Sequence, residues 1–449
     1  MTESSSPSLG LGAEVKAILH LAWPLVIAQL AMMGQGVIEA LLAGHISARV
    51  LAGVAIGASL VVIPMMGMIV LMYAVPPIVA RLAASGRRRE VGAVFVQALW
   101  LGIAVGLAML ALVRWAAPLA VAAAEIPHPL AEDVGGFLDA VSWALPAVGI
   151  FMACRGLSDG LSLPIPTMVL TLIGLVLLVP IGYLLMNGGA GLPPLGAAGA
   201  GYAAVFIDWL GVIVFLSWLR LSGNYVSIEL RPAPRRPNRA VLLDFLRVGG
   251  PMAIAFVLQI ALFSFATVSL GRYGDIVVGA HQIALNVALL GAMVSMGIAN
   301  AATIRVSMAL GTGDGTALRH AGLAGILLAL GFAAIWAALL AASPGAVAGL
   351  YTHDAALIGG AVPLIVMAGL LQFPDGLQAA CNGALRGLDD FAGPMALAAF
   401  GYWIVGAPLG FTLAVGLDGK APGMWTGICA GVTVSALLLL ARLRRRLPS

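Results

Sequence analysis

Charge is what this chain has least of. Only 9% of its 449 residues are Asp, Glu, Lys or Arg, while 61% are hydrophobic and the mean hydropathy is +1.05. An ordinary soluble domain carries about 25% charge, so a water-facing surface cannot be built from this composition. Cysteine is nearly absent too. Cys154, Cys381 and Cys429 stand singly in apolar runs, which excludes a disulfide framework and a CxxC metal site. The six histidines (His20, His45, His128, His281, His320 and His353) form no HxxH or HExxH cluster. No GxxxxGK[ST] loop is present to power work by ATP hydrolysis. Gly196, Gly199 and Gly201 spell GxxGxG, but they open an apolar run with no strand before them, so a dinucleotide site is not expected. The reading is of a non-enzyme with no metal and no organic cofactor. The N-terminal MTESSSPSLGLGAEVK lacks a basic region and a cleavage site, so the first apolar run is expected to insert and stay.

What is there instead is a series of long apolar runs, each about 20 residues or more, the length that crosses a bilayer as a helix. They fall near residues 18–42, 50–76, 92–113, 136–156, 165–186, 196–219, 246–270, 277–303, 320–343, 357–385, 392–416 and 422–441. The expectation is an all-α polytopic membrane protein with twelve spans. Of the 23 Lys and Arg residues, nineteen fall in one set of loops and termini, and only Arg49, Arg114, Arg272 and Lys420 in the other. That bias places both termini of a multi-pass membrane protein in the cytoplasm, and the expected location is the bacterial inner membrane. It also accounts for the net charge of +4 and for the runs Arg87–Arg89 and Arg442–Arg446 without a nucleic-acid partner.

The chain repeats itself at an offset of 227. Pro24 pairs with Pro251, Met66 with Met293, Cys154 with Cys381, Gly156 with Gly383, Gly160 with Gly387 and Met168 with Met395. An even number of spans per repeat gives two parallel six-helix bundles related by a pseudo-two-fold axis along the membrane normal. The domains are read as 1–221, a basic cytoplasmic linker at 222–244 centred on RPAPRRPNR, and 245–449.

Within this apolar background the polar residues stand out. Asp375 interrupts the tenth span, with Gln372, Gln378 and Asn382 close by at helical spacings. An aspartate at mid-bilayer costs roughly 2.5–3.5 kcal/mol on insertion scales, so such residues face a cavity or a partner. The bland reading is a polar patch joining two helices. The functional reading is a proton or cation site in a transporter. Asp208, about a dozen residues into the sixth span, and Glu39, about one turn from the outer end of the first, are further candidates. Asp159 follows Arg155 by four residues and reads as a helix-surface ion pair, and Asp389 and Asp390 as loop residues. His281 and Gln282 read as packing or gating residues near the outer face. Methionines such as Met33 and Met293 suit a tolerant drug cavity, though packing explains most of them. Gly156/Gly160 and Gly383/Gly387 have the spacing for close helix approach.

Four segments resemble one family. WPLVIAQLAMMGQGVIEALLAGHIS, GAHQIALNV at 279–287, ATIRVSMALGTGD at 302–314 and FPDGLQAACNGALRG at 373–387 are similar to the multidrug and toxic compound extrusion (MATE) family, in the order expected of it. The resemblance implies export of organic cations and other drugs in exchange for sodium or protons, by alternating access. It implies that Asp375 is the tenth-span aspartate tied to coupling, and that Glu39 stands where the family has an aspartate. Gln259 takes the place of a glutamate, and Leu178, before Val179-Pro180, that of an asparagine. Both departures remove ligands that sodium would want. The proton is therefore the expected coupling ion. Desolvation disfavours a charged carboxylate, so a change of solvation between two states can load and release a proton, and a cationic substrate competes with it. The expected partners are small cationic or amphiphilic molecules and the lipid bilayer, with the protein acting as a monomer. A lipid-linked sugar flippase, or a non-transport scaffold or receptor, are the alternatives.

Overall fold

Continuous apolar runs of about 20 residues satisfy their backbone in a bilayer as helices, and helices are what the chain forms. A computed structural model describes residues 10–123, 126–189, 191, 193–223, 225 and 236–448. Among these, twelve helices are long and apolar enough to cross a membrane. We number them α1 (Leu11–Ile46), α2 (Ala48–Ala84), α3 (Arg88–Ala123), α4 (His128–Gly160), α5 (Ile165–Asn187), α6 (Gly196–Leu221), α7 (Arg239–Tyr273), α8 (Asp275–Thr312), α9 (Gly315–Ala342), α10 (Ala355–Gly387), α11 (Ala392–Gly416) and α12 (Lys420–Arg446). The fold is all-α, with the twelve spans in the expected order. Most helices run past the apolar windows: α8 has 38 residues, about 57 Å at 1.5 Å per residue, against roughly 30 Å of hydrocarbon. Large apolar side chains such as Leu107, Ile213, Val268 and Ile335 point outward, as a lipid-facing surface requires.

Helix starts follow from local chemistry. Ser47 caps α2 by accepting from Val50 N at 3.1 Å. Asp314 caps α9 through Ala317 N at 3.0 Å, just after Gly313 ends α8 at φ +73°, a conformation that favours glycine. Asp354 caps α10 through Ala356 N at 2.8 Å and Leu357 N at 3.3 Å.

The chain divides into two compact units, residues 27–253 and residues 1–26 with 254–449. The cuts fall inside α1 and α7, two residues beyond Pro24 and Pro251, and they are 253 − 26 = 227 residues apart. The units therefore differ from the sequence halves 1–221 and 245–449 by an exchange of residues 1–26 and 245–253. The centre of the 222–244 linker, including Arg231 and Arg235, lies outside the described residues.

In the unit 27–253, backbones touch where glycines allow it. Gly102 of α3 faces Gly149 of α4, and a Cβ on either would run into the other's carbonyl. Gly160 of α4 sits on α2, where an added Cβ would meet Pro76 O and Val79 Cβ, both at 2.7 Å. Phe137, Leu138, Leu145 and Phe215 fill the core. Gln97 of α3 donates to Arg236 O at 3.1 Å and accepts from Asn238 N at 2.8 Å, fastening the chain before α7.

The other unit repeats this packing with the same numbers displaced. An added Cβ at Gly387 of α10 would meet Val306 Cβ at 2.7 Å and Thr303 O at 3.0 Å on α8, and 306 − 79 and 303 − 76 are both 227. The sequence repeat is thus a repeat of contacts. Gly401 and Gly410 of α11 abut Gly431 and Gly427 of α12 closely enough to exclude any side chain. Glu14 of α1 is buried against α8, where Arg305 holds it in a two-pronged pair at 3.0 and 2.6 Å.

His281 is fully buried in this unit. Trp425 Nε1 can only donate, and it does so to His281 Nδ1 at 3.0 Å. His281 Nε2 must then carry the proton and give it to Thr267 Oγ1, also at 3.0 Å, whose own hydrogen goes to Phe263 O. The residue is a packing group with a fixed neutral tautomer.

Candidate functional site

Asp375 lies in α10 directly after Pro374, whose missing N–H leaves the preceding turn one hydrogen bond short. It is half-buried, and no ion pair or hydrogen bond to it is recorded among the described residues. Its surroundings are neutral and polar. One turn before it, Gln372 Nε2 donates to Ser295 Oγ of α8 at 2.8 Å, while Gln372 Oε1 lies over Gly291 beside Trp336 Nε1 of α9. That indole N–H has no acceptor among the described residues. Three residues after Asp375, Gln378 donates through Nε2 to Tyr402 Oη of α11, and its own Oε1 has no partner among the described residues. Tyr402 is only 2% exposed and is close enough for its phenol to feel the charge of Asp375.

Tyr402 is the residue that sequence reasoning missed. It sits in a π-helical stretch, Phe400–Gly406, a local widening of the helix found often at functional positions. The same stretch anchors to α7 through Trp403 Nε1, which donates to Leu258 O at 3.2 Å, next to Gln259. A hydroxyl inside an apolar span was the available signal. Gln259, Asn382 and Met293 are half-buried in this unit, and Asn382 lies two turns beyond Asp375 on α10.

In the unit 27–253 the structure brings Glu39 and Asp208 together. Both are half-buried, and their charges interact across α1 and α6. Glu39 is seven residues before the end of α1 at Ile46, about two turns, because the helix runs past the apolar stretch. Leu178 is packed among Ala203, Ile207, Ile38 and Ile181, so the expected asparagine position is apolar core. Met33 is half-buried in the same unit.

Two readings need correction. Arg155 and Asp159 are not a helix-surface pair: their side chains are 3% and 6% exposed, with Arg155 Nε 3.2 Å from Asp159 Oδ2. Gly156 and Gly160 let α2 close over them, with Val75 and Val79 as the cover. Thr167 Oγ1 donates to the other carboxylate oxygen at 3.4 Å, and Arg155 also reaches Met32 Sδ at 3.2 Å. Asp390, read as a plain loop residue, is buried and bound by Arg442 of α12 at 2.6 and 3.0 Å. No group of three or more His, Cys, Asp or Glu that could hold a metal occurs among the described residues.

Comparison with known proteins reproduces this layout. The MatE family model matches residues 24–184 and again 251–412, two copies whose starts are 227 residues apart. A probable multidrug resistance protein NorM of Xanthomonas campestris pv. campestris is 38% identical over 445 residues, 98% of this chain and 96% of the relative. The multidrug resistance protein PmpM of Pseudomonas aeruginosa is 33% identical over 444 residues, 98% and 93% of the two chains. The crystal structure of a eukaryotic MATE transporter, AtDTX14, superposes with a TM-score of 0.87 at 19% identity, covering 97% of this chain and 96% of that one. With two family matches across its repeat and relatives along nearly its whole length, the chain belongs to the multidrug and toxic compound extrusion (MATE) family of membrane transporters.

Proposed function

We propose that this protein is a secondary multidrug exporter of the bacterial inner membrane, exchanging organic cations or amphiphilic drugs for protons by alternating access. The observation that carries the reading is Asp375: one carboxylate in a spanning helix, without a countercharge among the described residues, beside the neutral groups Gln372, Gln378, Tyr402 and Ser295. Neutral donors can stabilise the ionised form, and loss of water favours the protonated one, so a change in hydration moves the proton. A cationic substrate competes for the same charge. Sodium would want several hard oxygen ligands and more negative charge than one carboxylate and amides supply. Glu39 and Asp208 form the second, weaker candidate for coupling. Gln259, Gln372, Gln378, Asn382 and Met293 are proposed substrate contacts in one unit, and Met33 in the other. The names of the relatives, multidrug resistance proteins, support this substrate class. The distribution of Lys and Arg supports cytoplasmic termini, and the two repeats read as halves of a working monomer.

The test is efflux of a fluorescent organic cation from reconstituted vesicles under an imposed pH gradient, then a sodium gradient. The expected result is transport driven by the pH gradient alone and lost in Asp375→Asn. Sodium-driven transport would replace the coupling ion, and no gradient-linked efflux of any cation would overturn the reading in favour of lipid-linked sugar flipping.

A further inference from the structure

The end of α12 carries Arg442, Arg444, Arg445 and Arg446. Arg442 is committed: its guanidinium lies flat on Gly393, where any Cβ would collide with it, and both its prongs hold the buried Asp390. Arg446 Nε approaches the same carboxylate only to 3.6 Å and stays 58% exposed. Arg445 has no recorded ion pair among the described residues. The three arginines that line the cavity meet one buried aspartate, a surplus of two positive charges, 3 − 1 = 2, and Arg444 adds a further positive charge to the same helix end.

These arginines surround a cavity of about 510 Å³ whose other lining residues are Leu397 of α11 and Leu438 and Ala441 of α12. Leu438 lies three and four residues before Ala441 and Arg442, and these lie four and three residues before Arg445, so the four share a helix face. The face is graded: aliphatic toward the middle of the span, guanidinium at its end. The loop before α11 is held in place by Asp390, so the first turn of α11, with its unsatisfied N–H groups, forms a fixed wall beside the basic rim.

We propose that this cavity binds one anionic phospholipid, its phosphate bridged by Arg445 and Arg446 and the start of its acyl chains lying on Leu397 and Leu438. A soluble phosphate would use the rim but not the aliphatic floor, and a zwitterionic lipid would use the floor but meet a net positive rim. The graded face fits a molecule that is anionic at one end and apolar at the other, in a membrane where such lipids are close at hand.

The experiment uses the full chain, purified in detergent and stripped of lipid, then titrated with phosphatidylglycerol, phosphatidylcholine or inorganic phosphate and read by native mass spectrometry. Wild type is expected to retain phosphatidylglycerol with roughly thirtyfold preference over phosphatidylcholine, the scale that two near-surface arginines confer. The double variant Arg445→Gln/Arg446→Gln loses that preference. Leu438→Trp fills the floor and lowers phosphatidylglycerol retention with the charge intact. Arg88→Gln/Arg89→Gln, which removes the same charge from the start of α3, leaves the preference in place. Equal retention of the two lipids by wild type overturns the proposal, as does an undiminished preference in the Arg445/Arg446 variant. Displacement of the lipid by millimolar phosphate, with Leu438→Trp indistinguishable from wild type, overturns it in favour of a bare phosphate site. Thermal melting of each variant reports folding, and if the double variant fails to fold, Leu438→Trp and the phosphate competition still decide.

Discussion

The fourth and tenth helices occupy equivalent places in the two repeats and are packed by equivalent glycines, yet they handle charge in opposite ways. In α4, Arg155 and Asp159 neutralise each other inside the unit, buried under α2 and braced by Thr167. The equivalent positions in α10 are Asn382 and Arg386, at 155 + 227 and 159 + 227, and Arg386 donates to the neutral Oδ1 of Asn300 at 3.1 Å. The carboxylate of α10 sits elsewhere, at Asp375, where α4 has Val148. One helix closes its charge on itself and the other leaves a carboxylate open. A countercharge favours the ionised form of a paired aspartate, whereas an unpaired one depends on its hydration and on neutral donors for that. The repeat conserves packing, and the chemistry has been free to diverge within it.

Removing the open carboxylate should have the largest effect of all on transport. Asp375→Asn keeps shape and hydrogen-bonding capacity, so the expected outcome in vesicles is a drop of more than about tenfold in gradient-driven efflux, equivalent to at least ~1.4 kcal/mol of lost coupling. Melting in detergent should be unchanged or raised, because a desolvated charge has been removed. Tyr402→Phe removes one hydroxyl from the same cluster and should lower coupled efflux by a smaller factor, about two- to tenfold, the range of one net hydrogen bond. Equal losses in the two variants would show that Tyr402 is as indispensable as the carboxylate.

The closed pair should show the reverse pattern, with large effects on stability. Arg155→Met leaves Asp159 buried without its countercharge, a change that costs about 3–5 kcal/mol in comparable buried pairs. The double variant Arg155→Met/Asp159→Leu removes both charges and should recover most of that loss. Thermal or denaturant unfolding of the three proteins in one detergent checks this. A double variant as unstable as the single would mean that the pair does more than neutralise itself.

How much of this was legible in the sequence follows from what each feature depends on. The twelve spans depend on local hydrophobicity, and they are where the apolar runs put them. Their ends are not, because α7 begins at Arg239 and α8 runs on to Thr312, in polar sequence that a bilayer window rejects but a helix tolerates. The repeat was visible as Pro24/Pro251 and the glycine pairs, and those glycines mark real close contacts. The exchange of residues 1–26 and 245–253 between units was not visible, since it depends on which helices lie alongside which. The i, i+4 spacing of Arg155 and Asp159 announced the pair and not its burial, which depends on Val75 and Val79 of α2 meeting Gly156 and Gly160. Asp375 was found because a carboxylate in an apolar run is conspicuous. Tyr402 was passed over because only the π-helical turn and the partner Gln378 give its hydroxyl a role.

A smaller effect is expected where the second unit stabilises itself by neutral hydrogen bonds. Trp425→Phe keeps the aromatic contact with His281 and deletes its N–H, leaving His281 Nδ1 buried without a donor. The expected loss is about 1–3 kcal/mol of stability, less than for Arg155→Met because no charge is stranded. Thr267→Val should behave similarly, since it strands the N–H on His281 Nε2.

The smallest effect is expected at Arg87 and Glu90, and it tests the principle behind the others. By geometry this is the better ion pair: two prongs at 2.7 and 2.6 Å, against a single contact at 3.2 Å between Arg155 and Asp159. By burial it is the weaker, with side chains 59% and 51% exposed. Water and salt screen an exposed pair, and ordering two long side chains offsets what attraction remains. If burial decides, Arg87→Ala should leave unfolding indistinguishable from wild type at moderate ionic strength, while Arg155→Met is severe. If geometry decides, the ranking inverts. Measuring both variants at low and high salt separates the two cases, because only a contribution from the exposed pair would fade as salt is added.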